Sequence, residues 1–195
     1  MDQKLPRGLS QIFSEGRMTS VDSLIRESVE DDTIFNMGRL LVLFLIFEGI
    51  FPEDSINLDR IAYYDFFASQ PFLIFHDDKR AKIELLYYGF EASTVGYISS
   101  SQRFTTRRER LKIYLSGLLM RNLIQVKNLE GRYTYSITTR GKEVASKFRS
   151  MYIEAYKSSA VLTIKKIYRL SDKKLELQAK EWLRAEPFMI ELYDY

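Results

Sequence analysis

The chain has 195 residues, of which 46% are hydrophobic, so it can bury one sizeable core or a core with a small appendage. It has no cysteine, which excludes disulfides and thiolate metal sites and fits a reducing, cytoplasmic setting. The net charge of +3 is too small to indicate nucleic-acid binding by itself. The start, MDQKLPRGLSQIF, lacks the pattern of a secretory signal. The most apolar run, residues 40–47, is too short to span a bilayer, so it predicts a core helix and no membrane contact.

The first 33 residues predict an acidic, partly helical leader. They hold four basic residues against seven acidic ones, so the rest of the chain carries the excess positive charge. Ser20 can cap a short helix, because apolar residues recur at helical spacing before the acidic cluster at residues 30–32.

Two helices are predicted next. Residues 34–50 are apolar on nearly every side, as in a helix surrounded by neighbours, and Pro52 marks the end. Asn57 can cap a second helix, which Pro71 limits on the far side. The following residues, 69–104, form a mixed segment in which one short helix is predicted at residues 79–88.

A third helix and a hairpin follow. Thr106 and Glu109 form a capping-box pattern, which predicts a helix that begins at Arg107. Its apolar stripe contains Leu111, Tyr114, Leu115, Leu118 and Leu119. Alternating apolar residues then predict two strands around 124–126 and 133–137, with a turn at Gly131.

The C-terminal part predicts three further helices. Thr138 or Thr139 can cap the first, which carries Val144, Phe148, Met151 and Ala155 on one face. A break near Ser158 and Ser159 and a cap at Ser171 predict two more, at residues 160–170 and 172–183. The chain ends in the aromatic tail PFMIELYDY.

The order helix, helix, helix, hairpin, helix is typical of a winged helix. We therefore predict a mainly α fold with a small β-hairpin: a leader at 1–33, a winged-helix domain at 34–157, and C-terminal helices with the tail at 158–195. The domain carries an inserted segment, 69–104, between its second and third helices. A generic α+β domain is the alternative.

The outward face of the third helix does not resemble a base-reading surface. It is formed by Ile113, Ser116, Gly117 and Met120, and it lacks the Asn, Gln or Arg side chains that pair with base edges. Such a face suits contact with a partner protein or cover by residues 69–104, and the sequence leaves both open. The inserted segment also makes base reading less favourable, because DNA-reading units join these two helices by a short turn.

Five basic residues are candidates for non-specific contact with nucleic-acid phosphates. They lie near the start of the third helix and in the hairpin: Arg103, Arg107, Arg108, Lys127 and Arg132. Clustered arginines on a solvated face can equally serve solubility alone.

The sequence offers no catalytic, metal or cofactor pattern. His76 is the only histidine, so no second imidazole or thiol can complete a metal site or a nucleophile and base pair. No Gly-rich phosphate loop is present. We therefore expect a protein that is not an enzyme and has no cofactor.

Two segments resemble a known family. LDRIAYYDFFASQP, residues 58–71, is similar to a signature of the small middle components of three-component ABC (SMC-like ATPase) defence systems, including the Lamassu-type accessory subunit. Residues 107–109 and 118–124 fit a second signature of the family, in which R-R-E precedes a helix that leads into the wing. The resemblance covers roughly residues 37–128.

The resemblance implies a non-catalytic adaptor that docks on an SMC-like ATPase and couples DNA sensing to an effector, commonly a nuclease. Partner contacts would then use Ile113 and Met120, the acidic leader, and the aromatic residues Trp182, Phe188, Tyr193 and Tyr195. The alternative function is a DNA-binding transcriptional regulator that acts as a homodimer through its C-terminal helices.

Overall fold

The computed structural model describes residues 32–52, 54–90, 99–129 and 131–184. It divides into two compact units, Met1–Asn36 and Met37–Tyr195. In the first unit, the Asp32 carboxylate accepts a hydrogen bond of 2.8 Å from the backbone N–H of Ile34. That contact caps the helix that begins there.

This first helix, α1 (Thr33–Ile50), confirms the predicted helix at 34–50. By length and composition this helix could cross a membrane, because its apolar stretch has 18 residues. The prediction that the apolar run is too short to do so considered residues 40–47 alone. Half of the 18-residue stretch is buried within the protein, however, and the side chains of Leu40 to Phe44 are at most 2% exposed. Its packing is therefore that of a core helix.

The second predicted helix is also confirmed. A two-residue strand, β1 (Ile56–Asn57), leads directly into α2 (Leu58–Ser69). The Asn57 side chain accepts a hydrogen bond of 2.9 Å from the backbone N–H of Arg60, as the capping pattern predicts.

The inserted segment contains two short helices, α3 (Phe72–Phe75) and α4 (Lys79–Tyr87). The second confirms the prediction at residues 79–88, and the Asp78 carboxylate caps it by accepting from the N–H of Ala81 at 3.0 Å. All four side chains of α3 are buried, so this part of the insert belongs to the core.

The third long helix, α5 (Ser100–Met120), begins earlier than the capping box predicted. Thr106 lies inside the helix, and two residues before it Phe104 is already buried. The predicted start at Arg107 is therefore wrong: burial of Phe104 extends the helix backwards, and the T-x-x-E pattern lies in its interior.

The hairpin is confirmed and belongs to a sheet of three antiparallel strands. Strands β2 (Ile124–Leu129) and β3 (Arg132–Ile137) pair in a register that places Val126 opposite Tyr135. Gly131 adopts a positive φ of 81° in the turn, which favours glycine. Strand β1 pairs with the other edge of β3, so the order is β1-β3-β2.

The C-terminal helices differ in part from the prediction. Helix α6 (Thr139–Ala145) is capped by Thr138, and α8 (Asp172–Arg184) follows Ser171, as predicted. The prediction that the first helix carries Val144, Phe148, Met151 and Ala155 on one face is wrong, because α6 ends at Ala145 and a new helix, capped by Ser150, begins at Met151. The predicted break near Ser158 and Ser159 is wrong, because α7 (Met151–Tyr168) runs straight through both. Their hydroxyls donate to backbone carbonyls at Glu154 and Ala68, so neither interrupts the helix.

Candidate protein-docking surface

Helix α5 has the predicted apolar stripe on one side and an exposed apolar face on the other. Leu111, Tyr114, Leu115 and Leu118 are buried, whereas Ile113 is 63% and Met120 83% exposed. Ser116 is exposed between them. The residues of the insert that the structure describes therefore leave Ile113 and Met120 open to solvent.

Gly117 does not belong to this exposed face. A Cβ atom at this position would lie 2.7 Å from the Sδ atom of Met37 on α1, so the glycine marks a close approach of two helices. The lack of a side chain at Gly117 serves packing within the chain, and its contact with a partner stays a prediction. The exposed face is therefore formed by Ile113, Ser116 and Met120.

Arg107 lies in a buried ion-pair cluster rather than at a free helix tip. Its Nε atom is 2.8 Å from Oδ2 of Asp65 on α2, and its side chain is 19% exposed. Arg39 of α1 binds the same carboxylate through Nε at 2.9 Å and Nη2 at 3.1 Å. The phosphate contact expected of Arg107 is thus replaced by an internal ion pair that ties α5 to α1 and α2.

Two hydroxyl groups complete the cluster. Tyr156 of α7 donates to Oδ1 of Asp65 at 3.1 Å. Ser69 accepts from Nη2 of Arg107 at 3.0 Å and donates to the backbone carbonyl of Asp65 at 2.8 Å. Four helices therefore meet at one carboxylate.

The charges in the cluster set its ionisation. Burial alone would raise the pKa of Asp65, but Arg107 and Arg39 outweigh it, so this pKa lies below its ordinary value. Burial and then the charge of Asp65 raise the pKa of Tyr156 well above its ordinary value. Asp65 is thus an anion and Tyr156 a neutral donor near neutral pH. The cluster joins four helices of the fold, and the sequence does not predict it, because its members lie far apart along the chain.

The other candidate phosphate contacts are more accessible. Arg108 pairs with Asp59 at 2.5 Å while both side chains stay more than half exposed. On the hairpin, Lys127 is exposed and the Arg132 side chain is 77% exposed, 3.8 Å from Asp172. Arg103 is half-buried on α5. The solvated cations thus lie on the hairpin and on α5, and their contact with phosphates stays a prediction.

Of the aromatic residues expected at a partner interface, Trp182 packs within the chain. Its ring meets that of Phe67 edge-on, with the centroids 5.3 Å apart, and the side chain is partly buried. Trp182 thus anchors α8 to α2, and its contact with a partner stays a prediction. Phe188, Tyr193 and Tyr195 lie outside the described residues.

His76 stands at the end of α3, where Nε2 lies 2.8 Å from the Asp77 carboxylate. Among the residues that the structure describes, no group of three metal-ligating side chains occurs.

Fold and surface together define a mainly helical protein with a three-stranded antiparallel sheet, in which one long helix presents apolar side chains to solvent. The family model of the ABC-three component (ABC-3C) system Middle Component 2 matches residues 89–185, just under half of the chain. This match includes α5, the hairpin and all C-terminal helices, and it supports a middle component of ABC-3C systems. Comparison with curated proteins and with solved structures finds no match.

Proposed function

We propose that the protein is a non-catalytic adaptor of a cytoplasmic anti-phage defence system, in which it docks on an SMC-like ATPase and couples DNA sensing to an effector nuclease. The matched family supports partnership with other subunits of a multi-component ABC system. The further assignment to the Lamassu type rests on the similarity of residues 58–71 to that family's signature. The arrangement of α1, α2, α5 and the hairpin supports a winged helix with an insert.

The observation that carries this proposal is the exposed apolar face of α5. Ile113 and Met120 stand two turns apart on one side of the helix, and both are mostly open to solvent. Burial of such side chains against a partner stabilises a complex by about 1.5–3 kcal/mol each. A base-reading helix would present polar groups there.

Substitution of this face is expected to break the complex without unfolding the protein. We expect Ile113→Asp and Met120→Glu each to abolish copurification with the SMC-like ATPase when the chain is coexpressed with the products of its neighbouring genes. Leu177→Asp on α8 is the matched control, because Leu177 is also 63% exposed, and it should leave the complex intact. Retention of the ATPase by both α5 variants, with normal circular dichroism, would contradict the proposal.

A secondary contact with DNA is proposed for the hairpin, through phosphates alone. Lys127→Ala is expected to weaken binding to duplex DNA equally for all sequences and to reduce the slope of log affinity against log salt by about one. Fluorescence anisotropy with two unrelated duplexes measures both effects, and Asn128→Ala is the uncharged neighbouring control. A shift of one defined operator at physiological salt, with no effect on the unrelated duplex, would instead favour a transcriptional regulator.

A further inference from the structure

Helix α4 carries apolar residues on its solvent side as well as on the side that faces the protein. Only Ala81 and Leu85 are buried, and they face the protein. The opposite side presents Ile83 at 69%, Leu86 at 52% and Tyr87 at 86% exposure. A surface helix ordinarily presents a polar side to solvent, so this second, outward apolar side marks an interaction site.

The spacing of the three exposed residues is that of a recognition helix. Ile83, Leu86 and Tyr87 occupy positions i, i+3 and i+4, so they form one contiguous patch. Helices that insert into an apolar groove of a partner present anchors at this spacing. The ring of Tyr88 stands edge-on to that of Tyr87, with centroids 5.6 Å apart, and extends the patch at its C-terminal end.

The charges beside the patch indicate which charge the edge of a partner's groove would carry. Lys79, Arg80 and Lys82 occupy the first turn of α4, and none forms an ion pair with a residue that the structure describes. Glu84 is the single acid of the helix. A cationic flank beside apolar anchors is complementary to a groove rimmed by carboxylates.

We infer that α4 is a recognition helix that inserts Ile83, Leu86 and Tyr87 into an apolar, carboxylate-rimmed groove of a partner subunit. This surface lies on a different helix from the α5 face. The inference rests on the proposed function only in that the partner belongs to the same assembly. A protein groove is favoured over a membrane surface because a nine-residue helix with three outward apolar side chains offers little area for insertion into lipid.

The test uses the full chain, coexpressed with the ATPase and the third component that its neighbouring genes encode. The double substitution Ile83→Asp with Tyr87→Glu is expected to reduce the recovery of one component by about tenfold or more. Met151→Asp is the control, because Met151 is 92% exposed at the start of α7, and it should retain both components. Thermal melting should be unchanged in both variants, since neither alters a buried residue.

A second variant tests the rim. Charge reversal of Lys79, Arg80 and Lys82 to Glu should weaken the same interaction, and the affinity of the unaltered chain should fall as salt rises. Equal affinity at low and high salt, together with no effect of the reversal, would overturn the carboxylate-rimmed groove.

Four other outcomes would overturn the inference. Full recovery of both components by the double variant removes α4 from the interface while leaving the adaptor proposal in place. Failure of the unaltered chain to form any complex overturns the adaptor proposal and this inference together. A homodimer that the double variant abolishes assigns the patch to a second copy. Binding to phosphatidylglycerol vesicles that the double variant abolishes assigns it to lipid.

Discussion

Substitution of Asp65 by asparagine is expected to lower the free energy of unfolding by about 3–5 kcal/mol, because it leaves two buried or largely buried arginines without a counter-charge. The Arg39 and Asp65 side chains are 2% and 3% exposed, so water cannot replace the lost carboxylate. Asparagine has nearly the same shape, and the effect therefore reports charge rather than packing. Chemical denaturation followed by circular dichroism measures it.

The surface pair of Arg108 with Asp59 is the control. Both side chains are more than half exposed, so Asp59→Asn should change stability by only about 0–1 kcal/mol. Equal effects of the two substitutions would show that the cluster at Asp65 has no special importance for the fold.

The pH dependence of stability follows from the same carboxylate. Its pKa is lowered in the folded protein, so the stability it contributes is fully present above the pKa of an unfolded aspartate, about 3.9. That contribution is lost as pH falls through the lower folded value. Acid unfolding of the Asp65→Asn variant should therefore lack this component.

Local signals in the sequence predicted most of the helices and the hairpin. Asn57 caps α2, Thr138 caps α6, and Gly131 lies in the hairpin turn, because these contacts depend on residues within a few positions of one another. Strand β1 was missed, since two residues carry no periodic pattern and only pairing with β3 defines them.

The misplaced features have a common physical cause. The start of α5 was placed at a good local cap, whereas burial of Phe104 carries the helix past it. A break was predicted near Ser158 and Ser159, but Ser159 donates to Ala68 at 2.7 Å across to α2, and α7 continues through both residues. In each case a tertiary contact outweighed the local preference.

The candidate site was predicted in part. Helical phase alone placed Ile113 and Met120 outward. The same phase places Arg107 one turn before Leu111, on the inward stripe, which was the available signal for its burial. Its ion-pair partner Asp65, and Arg39, which binds the same carboxylate, could not be identified from one sequence, because they lie on other helices.

Like Asp65→Asn, substitution of Gly141 by alanine is expected to have a large effect. It should lower the free energy of unfolding by about 3 kcal/mol or slightly more. An added Cβ would lie 2.0 Å from the carbonyl oxygen of Leu123 and 2.7 Å from Cγ1 of Ile137. The Leu123 oxygen already accepts from the backbone N–H and the hydroxyl of Thr138, both at 3.1 Å, so it cannot move without breaking the cap of α6. The hairpin and α6 must therefore separate.

Gly38→Ala on α1 is the control, because it separates the cost of the clash at Gly141 from the effect of glycine and alanine on helix stability. A Cβ at Gly38 would meet only the ring of Phe148 at 3.6 Å, which is an ordinary contact. The free energy of unfolding of this variant should therefore rise by up to about 1 kcal/mol. Both glycines lie in helices, and both variants acquire the same methyl group. Changes of opposite sign in the free energy of unfolding of the two variants would locate the cost at the Leu123 carbonyl. An unchanged stability of Gly141→Ala would mean that α6 can shift away from the sheet.

Because Leu123 leads into β2, Gly141→Ala should also weaken the DNA contact proposed for Lys127.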